Sequence, residues 1–286
     1  IEIVRDRPSY AIARTLHVLA PSASRVTPRC PHFGVCGGCT LQHAGGALQV
    51  AAKQRVLEEA LARIGRVRAG VMLAPVRGPD WHYRFRARLS VRNVVKKGGV
   101  LVGFHERKSS FVADMRECHV VPPRISSLLV PLRELIGALT LKDRLPQIEM
   151  AVGEREGVVV YVLVLRILAP LAPQDESLLR GFADAHGVEL WLQTGGPQTV
   201  IPFHPAASSL AYTLPEFGVT VPFGPAEFTQ MNPFINTVLV RRAVAMLRPA
   251  PDERVADFFC GLGNFTLPIA RSKATTIGVE GSAAII

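Results

Sequence analysis

The stretch Arg254-Val-Ala-Asp-Phe-Phe-Cys-Gly-Leu-Gly-Asn-Phe265 decides how this sequence is read. Arg254 to Phe259 is a short apolar run of strand character, Cys260 to Phe265 a Gly-rich turn, and Thr266 to Arg271 a helix. Thr275 to Val279 is the next strand, closed by Glu280. This order makes a β-α-β unit, the start of an α/β Rossmann-like layer. Gly261 and Gly263 let a ligand approach the backbone where the helix N-terminus offers free N–H groups, and an acid ending the second strand is placed to bind ribose hydroxyls. Asp257, Gly261, Gly263 and Glu280 are therefore candidate cofactor contacts. The third glycine of G-x-G-x-x-G is missing, which favours S-adenosylmethionine, with no pyrophosphate to cradle, over a dinucleotide.

Upstream, Asn236 to Leu247 is a helix stopped by Pro249, and Pro222-Phe-Gly-Pro225 marks a boundary. The region before it mixes helices and strands, which reads as an α+β domain. Its expected elements are a helix over 124–141, a hairpin of 147–152 with 158–165 around Gly153-Glu-Arg-Glu-Gly157, and a helix over 174–186 closed by Gly187. Strands over 188–193, 210–213 and 219–221 follow. The sharpest periodicity lies in Tyr83-Arg-Phe-Arg-Ala-Arg-Leu-Ser-Val-Arg92, where Tyr83, Phe85, Ala87, Leu89 and Val91 alternate with Arg84, Arg86, Arg88, Ser90 and Arg92. No acid stands between Arg84 and Phe104. Guanidiniums about 6.6 Å apart along a strand repel one another unless an anion lies across them, and phosphates are bidentate partners for them. Arg84, Arg86, Arg88 and Arg92 are candidate RNA contacts, the alternative being a solvated strand face.

Three of the five cysteines crowd into Cys30-Pro-His-Phe-Gly-Val-Cys36-Gly-Gly-Cys39, and Cys118 in Arg116-Glu-Cys-His119 is the natural fourth ligand. The odd cysteine number and the size of the chain argue against disulfides. Three clustered thiolates with one distant partner suit a [4Fe–4S] cluster better than zinc, which usually takes paired C-x2-C motifs. Zinc stays open, with His32, His43 or His119 as substitute ligands. Cys260 is the one cysteine left, and its place between Phe259 and Gly261 marks it as a small packed thiol.

At 286 residues and 48% apolar content the chain is long enough for two domains with real cores. Thirty-three Lys and Arg against 23 Asp and Glu give a net charge of +10, which favours a polyanionic partner, nucleic acid first. The longest apolar run, Val158 to Leu165, is a strand and far too short to cross a membrane. Reduced thiols and nothing like a signal peptide point to the cytoplasm. Ile1 to Arg5 and Ala11 to Leu19 read as a hairpin too small to fold alone, and 48–64 as an amphipathic helix ending at Gly65. The first residue is not Met and the last strand is the second of an open α/β unit, so a fragment of a longer protein is expected.

Together these residues resemble the S-adenosylmethionine-dependent RNA uracil-5 methyltransferases, and most closely their 23S ribosomal RNA branch. The resemblance is carried by the cysteine loop through Thr40-Leu-Gln-His43, by Tyr83-Arg-Phe-Arg-Ala-Arg88, by Phe228-Thr-Gln230-Met-Asn232 and by Asp257 to Thr266. It implies three parts: residues 1–22 as the remnant of an OB-like TRAM barrel, 23–225 as a central α+β domain with the iron–sulfur loop, and 226–286 as the truncated start of the catalytic domain. The helix over 48–64 is expected to pack on that catalytic domain. The resemblance implies Cys30, Cys36, Cys39 and Cys118 as cluster ligands, and Gln230, Phe259, Asn264 and Glu280 as contacts to S-adenosylmethionine. It also implies a monomeric enzyme whose nucleophilic cysteine and base lie beyond Ile286. The rival expectation is a non-catalytic iron–sulfur or zinc protein that binds RNA.

Overall fold

A computed structural model describes residues 1–206 and 209–282, and the chain divides into two compact units. The first comprises Ile1–Arg29 and Leu41–Leu73. In it β1 (Glu2–Arg7) pairs antiparallel with β2 (Tyr10–Arg14) across the two-residue turn Pro8-Ser9. The second strand ends at Arg14, paired with Glu2, rather than reaching Leu19. Helix α1 (Gly46–Glu59) runs into a π-helical turn at Ala60–Gly65. The residue that leaves the helix in the left-handed region is Arg66, at φ 53°, and not Gly65. None of the α1 side chains is buried.

The second unit, Cys30–Thr40 with the chain from Ala74 onward, is built on an eight-stranded sheet. Its β3 (Arg86–Val94) and β4 (Gly99–Gly103) form a hairpin. The helix expected over 124–141 is two: α2 (Pro123–Ser127) and α3 (Leu129–Ala138). Pro131 lacks an N–H and its ring crowds the carbonyl four residues back, at Ser127, so one continuous helix cannot form. Then come β5 (Gln147–Arg155) and β6 (Val158–Arg166), whose strands run further than expected and turn on Glu156-Gly157 alone. Both turn residues have positive φ, 52° and 79°, the conformation that matches strand twist in a two-residue hairpin. Helix α4 (Pro173–His186) ends on Gly187 at φ 54° and crosses over to β7 (Glu189–Gln193), parallel to β6. β8 (Val200–His204) was not legible in the sequence because Pro202 interrupts it; as the edge strand beside β7 it tolerates the missing donor. β9 (Leu210–Leu214) and β10 (Val219–Phe223) complete the sheet.

The sheet forks at β5. Gln147 to Ala151 of β5 pair with β3, whereas Glu154 pairs with Ala211 of β9, so one edge of one strand carries two partners. Beyond the sheet, α5 (Pro233–Leu247) starts at Asn232, whose side chain accepts the Ile235 N–H at 3.1 Å. β11 (Arg254–Phe258), α6 (Thr266–Ala270) and β12 (Thr275–Val279) form the expected β-α-β unit, β11 and β12 parallel.

The main core lies between one sheet face and α3 and α4, and includes Leu89, Val102, Ile136, Ile148, Leu163 and Leu179. The other face buries Val162, Val164, Trp191, Leu210 and Phe223. Val162 to Leu165 of β6 are buried on both faces, which is why that half of the strand is apolar without alternation, whereas Val158 and Val159 at its start are exposed. A third cluster joins Leu214, Val219 and Val221 to Val240 of α5, with Leu262 and Phe265 packed on it, so the Gly-rich turn is seated on a folded base. Each large apolar side chain buried here contributes about 1.5–3 kcal/mol.

Candidate functional site

The Gly-rich turn leaves β11 at Phe258 and is clipped to the end of β12 by two hydrogen bonds, as the N–H groups of Phe259 and Cys260 donate to Val279 O at 2.7 and 3.1 Å. Phe259 has φ 63° and its ring stands out, 89% exposed. Gly261 (φ 55°) and Gly263 (φ 84°) supply the left-handed backbone; a Cβ at Gly263 would lie 3.0 Å from Leu267 Cγ. Asp257 accepts the Thr266 hydroxyl at 2.6 Å, which fastens the strand to the helix start. Glu280 accepts N–H groups from Ser282 (3.0 Å) and Gly261 (2.9 Å), and these donors hold its carboxyl below the usual 4.5. The acidic group is thus ionised and fixed beside Gly261.

Asn264 is held more firmly than its motif suggests. Its Oδ1 accepts from Asn236 Nδ2 at 2.8 Å and from the Tyr212 hydroxyl at 3.1 Å, while its Nδ2 donates to Asn236 Oδ1 at 2.9 Å. Asn236 is buried within α5, and Tyr212 sits on β9. Burial pushes the Tyr212 phenol up to about 12, so it stays a neutral donor. Sequence reading missed both residues; a polar side chain on a helix whose other buried residue is Val240 was the available signal.

Gln230 lines a cleft of about 170 Å³ together with Phe85, Gly153, Glu154, Tyr212 and Asn236. The cleft opens at the fork of β5, and Tyr212 and Asn236 connect it to the Gly-rich turn. Cys260 lies elsewhere, its Sγ only 2.9 Å from where a Cβ on Gly278 of β12 would be.

The cysteine loop is folded against β4 and the segment after it. Gly37 N–H donates to His105 O at 2.8 Å, and a Cβ at Gly37 would come within 2.9 Å of that oxygen, so only glycine fits this approach. The Arg107 N–H returns to Val35 O at 2.8 Å, and His32 Nε2 accepts the Arg116 N–H at 3.1 Å. The Gly38 N–H donates to Cys36 Sγ at 3.3 Å. Burial raises the thiols of Cys30 and Cys36, and that of Cys118 to about 11. Backbone N–H groups oppose the shift: His32 and Phe33 at Cys30, Gly38 at Cys36, Val120 and Val121 at Cys118. Cys39 acts electrostatically on all three. Among the described residues no group of three or more His, Cys, Asp or Glu side chains is in position to hold a metal ion. Cys36 and Cys118 are buried and Cys30 and Cys39 partly so, and four soft thiol donors are the ligand type that an iron–sulfur group takes.

The arginines differ in surroundings. Leu89 and Val91 are buried and Arg88 and Arg92 exposed, as the alternation requires. Arg88 is not unneutralised, because Glu149 on β5 meets its Nη2 at 2.6 Å. Arg86 is half-buried and donates to Pro225 O at 2.8 Å, and burial lowers its guanidinium. Arg84 lies over the Phe104 ring at 5.6 Å. No helix among the described residues is long and apolar enough to cross a membrane.

No protein-family model matches the chain. In sequence it is similar to proteins named 23S rRNA (uracil(1939)-C(5))-methyltransferase RlmD. The Nitrosospira multiformis protein is 59% identical over 283 residues, 99% of this chain and 64% of the relative. That of Aromatoleum aromaticum is 55% identical over 285 residues (99% and 65%), and that of Cupriavidus necator 56% over 281 (98% and 63%). In fold the chain matches the crystal structure of Pyrococcus abyssi tRNA (uracil-54, C5)-methyltransferase in complex with S-adenosyl-L-homocysteine. The TM-score is 0.65 at 18% identity, over 99% of this chain and 66% of that one. Over nearly all of its residues, then, the chain is similar in sequence to proteins of that name, and it spans a little under two thirds of their length.

Proposed function

We propose that this chain is the RNA-binding and cofactor-binding part of an enzyme that methylates C5 of uracil in 23S ribosomal RNA. The observation that carries the reading is 55–59% identity, along nearly the whole chain, to relatives of that name. S-adenosylmethionine would supply the electrophilic methyl group. Gly261 and Gly263 leave the turn open, the ionised Glu280 would accept hydrogen bonds from its ribose hydroxyls, and Gln230, Phe259 and Asn264 would complete the site. Uracil C5 is a poor nucleophile, so a thiolate must first add at C6 to make C5 an enolate carbon, after which a base removes the C5 proton and the thiol leaves. Cys260 is not that thiolate in this reading, since its side chain is turned toward Gly278 of β12, in the space that a Cβ there would need. The target base must leave its stack to be reached, and Arg88 and Arg92 offer phosphate contacts that would steady the flipped strand.

Within this reading Cys30, Cys36, Cys39 and Cys118 would hold a [4Fe–4S] cluster. Residues 1–22 are the end of a TRAM barrel, 23–225 the central domain and 226–286 the start of the catalytic one. The protein works as a cytoplasmic monomer. The test uses the complete protein, a labelled S-adenosylmethionine and a 23S rRNA fragment carrying its uridine or a cytidine in that place. Label entering only the uridine RNA is expected. Tight RNA binding with no transfer would instead favour a non-catalytic RNA-binding protein.

A further inference from the structure

Arg84 begins the arginine series in sequence but precedes β3, so strand alternation does not fix its side chain. Its N–H donates to Val120 O at 2.8 Å, two residues after Cys118. Its guanidinium covers the Phe104 ring, and that ring packs on Gly38, 3.1 Å from where a Cβ would be. Gly38 in turn donates to Cys36 Sγ. The Phe104 N–H donates to Met115 Sδ at 3.3 Å, and that sulfur is 3.7 Å from Cys36 Sγ. The cation therefore stands one aromatic ring away from the cysteine loop. Arg84 Nε is buried with no hydrogen-bond partner among the described residues. A buried cationic N–H without an acceptor is costly, and negative charge close by offsets part of that cost through space.

We propose that Arg84 is a positioning residue of the cysteine site rather than a phosphate contact: its guanidinium balances the negative charge of an iron–sulfur group held by Cys30, Cys36, Cys39 and Cys118. This rests on the cluster reading given above. A [4Fe–4S] core on four thiolates is a dianion, and one electron makes it a trianion, so a fixed cation beside it favours the reduced form.

The complete protein, purified anaerobically, is compared as wild type, Arg84→Gln, Arg84→Lys and Arg88→Gln. Iron content, the midpoint of a mediated dithionite titration, in which one electron enters the core and no bond breaks, and the salt dependence of rRNA-fragment binding are read for each. Arg84→Gln is expected to shift the reduction equilibrium roughly tenfold against the reduced cluster, about 59 mV for one electron, with an unchanged salt slope. Arg84→Lys should recover part of the shift, and Arg88→Gln should lower the slope while leaving the midpoint alone. Iron lost in Arg84→Gln and restored in Arg84→Lys also supports a charge role; iron lost from both refutes it in favour of packing. An unmoved midpoint with a reduced salt slope returns Arg84 to the phosphate-binding row. Wild-type protein without iron sinks the cluster reading itself, whereas iron-loaded protein with an unmoved midpoint sinks only the assignment of Arg84.

Discussion

Replacing Asn236 by Ala tests whether the Gly-rich turn is held by its amide pair. Asn236 is 6% exposed, and the substitution removes both of its hydrogen bonds to Asn264. At about 1 kcal/mol for each bond, plus about 1–2 kcal/mol for leaving the Asn264 amide short of a partner, the loss should be about 3–4 kcal/mol. Tyr212→Phe removes only the bond at 3.1 Å and should cost about 0.5–1.5 kcal/mol. Both act on the same Asn264 oxygen, so the double variant should depart from additivity by more than about 0.5 kcal/mol. Urea unfolding of the four proteins gives the energies, and titration calorimetry with S-adenosylmethionine should show weaker binding for Asn236→Ala in the same rank order. Additive losses, or an Asn236→Ala cost below about 0.5 kcal/mol, would refute the clamp.

Glu280 titrates below 4.5 because the Ser282 and Gly261 N–H groups favour its charged form, so its contribution to stability is full above that value and is lost as pH falls through the lower folded one. Unfolding free energies taken from neutral to acid pH should therefore fall more steeply for wild type than for Glu280→Gln. Gly153→Ala would place a Cβ 2.9 Å from Ala211 O and 3.0 Å from Phe223 Cζ, and should lower stability by about 1–3 kcal/mol in thermal melts. Ile136→Ala, in the core under α3, should cost about 2–5 kcal/mol by urea unfolding. In the complete protein, Cys260→Ala should keep most activity and still trap an adduct with RNA containing 5-fluorouracil; loss of the adduct with cofactor binding intact would make Cys260 the nucleophile.

The β-α-β unit was legible because its signals are local: two glycines at positive φ, a short apolar strand on each side and an acid at the end of the second. The alternating face of β3 was legible for the same reason, down to buried Leu89 and Val91. What neutralises that face was not. Glu149 comes from a strand 61 residues on, and only the β3–β5 register puts it opposite Arg88. Asn236 and Tyr212 reach Asn264 from 28 and 52 residues away, a relation that no window of sequence contains. The break in the helix around Leu128 was readable from Pro131, but the strong apolar periodicity on both sides outweighed it. The sequence also overextended the second strand of the hairpin, because apolar Leu16, Val18 and Leu19 continue past Arg14, the last paired residue.

The fork in β5 gives the cleft two unlike walls. On one side Val152, Gly153, Ala211 and Tyr212 belong to ladders, with the Val152 N–H fixed to Phe85 O at 3.0 Å. On the other, Thr229 and Gln230 belong to no helix or strand, and the nearby backbone bond is Phe85 N–H to Met231 O at 2.8 Å. Amide protons of the first wall should exchange on the timescale of global opening, and those of the second far sooner. Accommodation of a guest in this cleft then falls first to residues 226–231, with the β5 side acting as a template whose outline is inherited from strand register.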